Sequence, residues 1–386
     1  MESPRIKSIK ARPILNSKGE KTIEVKLSTD LGTFFSSVPS GTSKGRHEAI
    51  ELKGERAAES VNKIIRPVLL NKNPKKQKEI DNLLLKLDGT KNKQKLGANA
   101  ILAVSLAVLR AGKGGENLPL FKYISQIVGI RSKLPKPSIL LVEGGLHGKT
   151  KLDFQEFMVI PEGKSFRESF LKGKKIYENL KKILKNQFGQ KGIQLGLEGA
   201  FTPPISEPRK VLDFIMEAAK DYKVKIGLDC AANNIKKGKY GIDFYKKLVL
   251  DYPVSFLEDP FSEEDWRGFS GLNKRIGKKI SIIGDDLLTT NIERMKKARK
   301  VGSCNGVIIK PNQVGTVSET LSAVKLGKSF GWKIIVSHRS GETMDDFIAD
   351  LAVGVGADLI KAGAPTEPER MVKYKRLLEI ENKFFN

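Results

Sequence analysis

The chain has 386 residues, 39% of them hydrophobic and 29% charged, with a formal net charge of +25. That length exceeds what one small core fills and points to two domains, and the composition excludes a collagen-like, low-complexity or wholly disordered chain. The basic charge is spread along the chain in runs such as KKQKE, KNKQK, KGKKIYENLKK and RMKKARK, at spacings of solvated helix faces, and no nucleic-acid-binding motif accompanies it, so nucleic acid is not expected as the main partner.

The opening MESPRIKSIK has charges without an apolar core behind them, so no secretory signal is expected. Short strand-like runs follow at Ile23 to Leu27 and Thr33 to Val38, separated by Asp30 and Gly32. Helical patterns occupy Glu55 to Leu70, Lys76 to Leu87 and Ala98 to Ala111. The last holds the longest apolar stretch, Ala100 to Leu109, which contains Ser105 and falls short of the ~20 residues of a membrane span. The Pro-bearing RSKLPKP, Arg131 to Pro137, reads as a linker. Residues 1–130 are therefore expected to form an α+β domain and residues 131–386 a second domain.

Beyond the linker the rhythm changes. Apolar runs end on Asp229, Glu258, Asp285, Lys310, His338 and Lys361, about 23 to 29 positions apart, each followed by a helical pattern. That interval accommodates a strand, a helix and two loops, and continuous apolar strands imply a parallel sheet covered on both faces. Two earlier runs, DFQEFMVI with Glu156 and GIQLGLEGAF with Glu198, bring the count to eight strands over about 250 residues, the size of a (β/α)8 barrel. A doubly wound open sheet is the structural alternative.

Ionisable residues at the carboxyl ends of barrel strands are where such folds keep their chemistry. Asp229, Glu258 and Asp285 would meet at one mouth, where three carboxylates repel unless a cation neutralises them; an all-oxygen set suits a hard divalent ion, Mg²⁺ above all. Single carboxylates of this kind usually cap a helix or pair with a surface lysine, a reading that three on successive strand ends weaken. Lys310 and Lys361 share the same mouth, and a neighbouring ammonium lowers the pKa of either, so that one can serve as a base; a plain ion pair is the alternative for Lys361. Glu156 and Glu198 offer a general acid.

The chain has three histidines, His47, His147 and His338, all in glycine- or serine-rich segments, and SHRSGET adds Arg339 and Ser340 as donors to a phosphate or carboxylate. GGLHGKT is not a phosphate-binding P-loop, because Glu143 stands where that motif requires glycine and the segment after Thr150 reads as strand. Cys230 and Cys304 make neither a disulfide framework nor a zinc site, and a cytoplasmic location is expected.

The segments PSGTSKGRHEAIEL, LDGTKNKQKLGANAILAVSLA, LDFQEFM, GLDCAAN, SFLEDPFSEEDWRGF, GDDLLTTN, IIKPNQVGT, SHRSGET and IKAG, running in order over nearly the whole chain, resemble the enolase (phosphopyruvate hydratase) family. The resemblance implies an α/β fold: a modified TIM-type (β/α)8 barrel whose first strands are not all parallel, with an N-terminal α+β capping domain. It implies a Mg²⁺-dependent dehydration of 2-phosphoglycerate to phosphoenolpyruvate. By matching position, Asp229, Glu258 and Asp285 would bind the tightly held Mg²⁺, and Ser43 would close on a second, substrate-dependent one. Lys310 would remove the C2 proton and Glu198 would assist departure of the C3 hydroxyl. His147, Gln155, Glu156, His338, Arg339, Ser340 and Lys361 would contact substrate. A homodimer or larger homo-oligomer is likewise implied.

The sequence departs from the family pattern in two places. EGGLHG carries Glu143 where the family has Asn, and GLEGA carries Leu197 and Ala200 where the family has Asp and Gly around the acid. These changes leave two other readings open: a relative acting on a different carboxylate, and an impaired paralogue that binds polyanions.

Overall fold

The computed structural model describes residues 3–42, 44–114, 118–148 and 150–385. Three antiparallel strands open the chain: β1 (Ile6–Leu15), β2 (Lys21–Thr29) and β3 (Gly32–Val38), in the order β1-β2-β3. Strand β1 is absent from the sequence reading because its inward positions alternate with lysine and arginine, which mimics an exposed tail. A continuous helical run of Gly54–Glu59, Ser60–Ile65 and Arg66–Leu69 follows, then Gln77–Asp88 and Ala98–Lys113, each within a few residues of the expected patterns. Helix Ala98–Lys113 is buried nearly all round because it lies between the small sheet and the larger body of the molecule.

The second body is a closed eight-stranded barrel: β4 (Lys136–Glu143), β5 (Glu156–Pro161), β6 (Val224–Asp229), β7 (Val254–Glu258), β8 (Ser281–Gly284), β9 (Gly306–Ile309), β10 (Lys333–Ser337) and β11 (Leu359–Lys361). Strand β11 pairs with β4 to close it. Two sequence expectations are corrected. The linker reading of Arg131 to Pro137 runs into the first barrel strand, which starts at Lys136 and whose residues from Pro137 to Glu143 are all buried. GIQLGLEGAF, read as a strand, is instead a short helical turn and a loop tied to the barrel by isolated bridges, Val142 with Phe201 and Leu195 with Phe201.

Strand β5 runs antiparallel to both β4 and β6, while the remaining neighbours are parallel. Because β5 is reversed, its first residue, Glu156, lies at the same mouth as the last residues of the others, pairing in register with Glu143 and Asp229. Helices on the outside start on local caps: Ser165 accepts from the Glu168 N–H, Thr316 from Glu319, and Asn291 from Glu293 and Arg294.

The two bodies are joined by partly buried polar contacts. Arg110 forms a two-pronged ion pair with Asp345 at 2.7 Å, and Asp345 also accepts the Ser37 N–H at 3.0 Å. Asp81 accepts from the N–H and hydroxyl of Ser318. Among the described residues no helix is long and apolar enough to cross a membrane.

Candidate active site

Hydrogen-bond register, not proximity in sequence, assembles the site. Glu156 pairs with Asp229, Asp229 with Glu258, and Ser337 with Lys361, so residues at β5, β6, β7, β10 and β11 converge at the carboxyl mouth of the barrel. Asp285, Lys310 and His338 each follow the last residue of β8, β9 and β10.

Two ammonium groups organise the carboxylates. Lys361 Nζ lies 2.9 Å from Glu156 Oε2, 2.9 Å from Glu258 Oε2 and 3.4 Å from Asp229 Oδ2. Lys310 is paired with Asp285, whose other oxygen accepts from Gln313 at 2.9 Å. The expected depression of the lysine pKa is not what the structure has. Burial, and for Lys310 the charges of Arg339 and Lys361, do lower it, but the carboxylates outweigh them and hold both lysines above the usual value. Glu258, 0% exposed, is pushed well above the carboxylate range by burial and then by Asp229 and Asp285. Glu156 rises to about 8, from burial first and Glu198 and Asp229 among the further causes.

Glu156, 3.8 Å from His147 Nδ1, joins the Lys361 group to Glu198, which faces two imidazoles: His338 Nε2 at 3.1 Å and His147 Nδ1 at 3.4 Å. Burial raises the Glu198 pKa, but His338, His147 and Arg370 outweigh it and hold the carboxylate well below its normal range. Arg370 lies 2.7 Å from His338 Nδ1. A guanidinium only donates, so Nδ1 accepts and the ring proton sits on Nε2, facing Glu198. Burial lowers His338 to about 4 and lowers His147.

Arg339 donates to Glu48 at 2.9 Å and to Asn312 at 3.0 Å, and Ser340 Oγ accepts the Thr42 N–H at 2.8 Å. Thr42 and Glu48 of the small body thereby reach the barrel mouth. Ser43 lies outside the described residues. His47 is exposed, paired with Glu264 at 2.6 Å, and belongs to this loop contact and not to the buried centre.

Among the described residues, two buried polar atoms in the mouth have neither a hydrogen-bond nor an ion-pair partner: His147 Nε2 and Gln155 Oε1. Buried polar atoms are ordinarily satisfied, so this pair of exceptions is what a polar ligand would complete. The donors also fit a hard cation. Asp229, Glu258 and Asp285 offer oxygen only, and their mutual repulsion is relieved by positive charge. A second close acidic set, Asp259, Asp285 and Asp286, has ligand atoms within 4.8 Å of one another.

Sequence reasoning missed Asp259, Arg370, Glu48 and Glu143. Asp259 has φ of 42° and accepts the N–H groups of Asp285 and Asp286 at 3.0 and 2.6 Å, which holds the turn carrying Asp285. Its only signal is its place beside Glu258 in FLEDP. Arg370 comes from the C-terminal helix Pro368–Phe384, outside every strand-end pattern.

Comparison with known proteins agrees with this arrangement. The family model for the enolase N-terminal domain matches residues 6–124, and that for the enolase C-terminal TIM barrel domain matches residues 131–244 and 235–386. Enolase B of Dictyostelium discoideum is 43% identical, covering 97% of this chain and 94% of its own length. Enolase of Solanum lycopersicum is 42% identical, covering 97% and 95%. With both bodies matched and the relatives aligned almost end to end, the chain belongs to the enolase family.

Proposed function

We propose that the chain interconverts 2-phosphoglycerate and phosphoenolpyruvate, with Lys310 as base and Glu198 as acid. The observation that carries this reading is the convergence of Lys310, Lys361, Asp229, Glu258 and Asp285 at one mouth with the Glu198–His338–His147 group.

Lys310 Nζ takes the C2 proton. The C2–H electron pair is first taken up as the C1–C2 double bond of an ene-diolate; it then becomes the C2–C3 double bond as the C3–O bond breaks, the hydroxyl receiving a proton from Glu198 and leaving as water. Removing a proton beside an ionised carboxylate builds a dianionic ene-diolate, which needs concentrated positive charge. Lys361 supplies part of it. Mg²⁺ held by Asp229, Glu258 and Asp285 would supply the rest and would engage the Asp285 charge that otherwise retains the Lys310 proton. Glu198 is ionised beside its two imidazoles, and the negative charge of the entering substrate opposes them and favours its protonated form. Arg339 and Ser340 would hold the phosphate, and His147, Gln155, Glu156 and His338 would complete the substrate contacts, with Ser43 closing on a second Mg²⁺.

We further take residues 1–130 as a cap and 131–386 as the catalytic domain, acting in the cytoplasm as a homodimer or larger assembly; light scattering of the purified chain tests the assembly. The activity test is phosphoenolpyruvate formation from 2-phosphoglycerate with and without Mg²⁺. A folded protein without Mg²⁺-dependent product would end the reading.

A further inference from the structure

The two segments that depart from the family pattern, EGGLHG and GLEGA, meet in space. Glu143 ends β4 and is 0% exposed. Its carboxylate accepts the Glu198 N–H through both oxygens, at 3.0 and 3.1 Å, and the Ala200 N–H at 2.9 Å. No lysine or arginine neutralises Glu143 among the described ion pairs. A Cβ built on Gly196 would lie 2.6 Å from Glu143 Oε2, so the carboxyl fills the space under the loop.

The loop is short and closed on itself by the Gly196 N–H donating to Ala200 O at 2.9 Å. Its other anchors include Glu198 O, accepting the Ala364 N–H at 3.1 Å, Gly199 O, accepting from Tyr177 at 2.8 Å, Leu197 O, accepting from Arg370 at 3.3 Å, and a longer bond from the Leu197 N–H to His147 O at 3.4 Å. Most of those anchors hold carbonyls. Glu143 holds the N–H groups on either side of the residue whose carboxylate faces the two imidazoles. From this geometry we propose that Glu143 is a positioning residue for Glu198, clamping the Gly196–Ala200 backbone so that the Glu198 carboxylate stays between His147 and His338.

The two carboxyls are also electrostatically linked. Burial pushes the Glu143 pKa well up and the Glu198 charge adds to the rise. A negative charge on either one favours the proton on the other, so they titrate as a pair. The other titratable or charged groups around them are Glu156 on β5, Tyr177 on helix Phe166–Phe188, and His147, His338 and Arg370.

This inference rests on the acid role proposed for Glu198, and the test separates the two. Glu143→Gln keeps one oxygen for the Glu198 and Ala200 N–H groups but cannot ionise; Glu143→Ala removes the clamp. For Glu143→Ala, a misplaced acid lowers kcat by about 100-fold with KM changed by less than about threefold. For Glu143→Gln, which keeps an acceptor oxygen for the clamp, most of kcat is retained, and because burial keeps the Glu143 carboxyl protonated where Glu198 titrates, the limb of the kcat–pH profile that follows Glu198 stays in place. A Glu143→Ala enzyme with wild-type kcat, or a Glu143→Gln enzyme that loses as much kcat as Glu143→Ala, overturns the proposal.

The second readout needs no turnover. With three histidines in the chain, each imidazole is resolvable by NMR. The His147 and His338 signals shift in Glu143→Ala while His47, in the exposed loop, serves as the unmoved control; unmoved His147 and His338 signals overturn the proposal. If the wild type makes no phosphoenolpyruvate, the functional reading fails while the NMR comparison still decides whether Glu143 positions Glu198.

Discussion

Arg370 and His338 are buried against each other with Nη1 2.7 Å from Nδ1, and this contact sets which imidazole nitrogen carries the proton that faces Glu198. The same guanidinium donates to the carbonyls of Arg339 and Ser340 at 2.6 Å each, so one side chain from the C-terminal helix holds the whole turn from His338 to Ser340.

Replacing that side chain with an apolar one of similar length therefore affects both stability and turnover. Arg370→Met leaves buried carbonyls unpaired, and hydrogen bonds to charged groups are worth about 1.5–3 kcal/mol each. The expected result is a loss of about 3 kcal/mol in denaturant unfolding together with at least a tenfold fall in kcat. A variant that unfolds like the parent contradicts the account.

Lys310→Ala removes the proposed base. Positioned acid–base groups contribute typically ~10²–10⁴ in rate, so turnover should fall at least that far. Binding of 2-phosphoglycerate, followed by calorimetry, should remain measurable, because Arg339, Ser340 and the histidines are untouched. Unchanged turnover would remove Lys310 from the mechanism.

Asp259 tests the cation site indirectly. Its two oxygens each accept one N–H of the Asp285–Asp286 turn, and an asparagine has only one acceptor oxygen. Loss of a group that orients a metal ligand typically weakens the metal about 10–100-fold. Asp259→Asn should therefore raise the Mg²⁺ concentration for half-maximal activity by about that factor, and a chelator should bring the parent enzyme to background with recovery on added Mg²⁺. Full activity in excess chelator would rule out the cation.

Asp345 gives a pH prediction away from the site. Burial raises its pKa, but Arg110 outweighs this and holds the carboxyl below its usual value. A carboxyl depressed in the folded state contributes stability above its unfolded pKa, about 3.9, and loses it as pH falls through the folded value. Asp345→Asn should cost about 1–2 kcal/mol at pH 7, since it strands a half-buried guanidinium, and the gap between variant and parent should narrow below about pH 4. Urea unfolding at the two pH values measures it; a gap independent of pH would refute the assignment.

The strand-end residues were legible because parallel barrel strands are buried on both faces, so the first ionisable residue after each apolar run marks the mouth. Strands β1 and β4 were not. Basic residues on the outer face of β1 hide its alternation, and Lys136 and Pro137 at the start of β4 carry the marks of a loop although Pro137 to Glu143 is core. Glu198 was recognised as a site residue but assigned to a strand, because its loop imitates the alternation of one while being held by Glu143, Tyr177 and Ala364 instead of by a ladder.

The residue types and their order along the chain by themselves determined the barrel, its acidic trio and its two lysines, since these follow from the local alternation of apolar runs and charged ends. The balance of charge among them was decided only in three dimensions. Whether Lys310 is raised or lowered, which nitrogen of His338 holds its proton and what supports Glu198 depend on Asp285, Arg370 and Glu143 arriving from remote elements. Inside a low-dielectric mouth a neighbour a few ångströms away outweighs the intrinsic preference of a side chain.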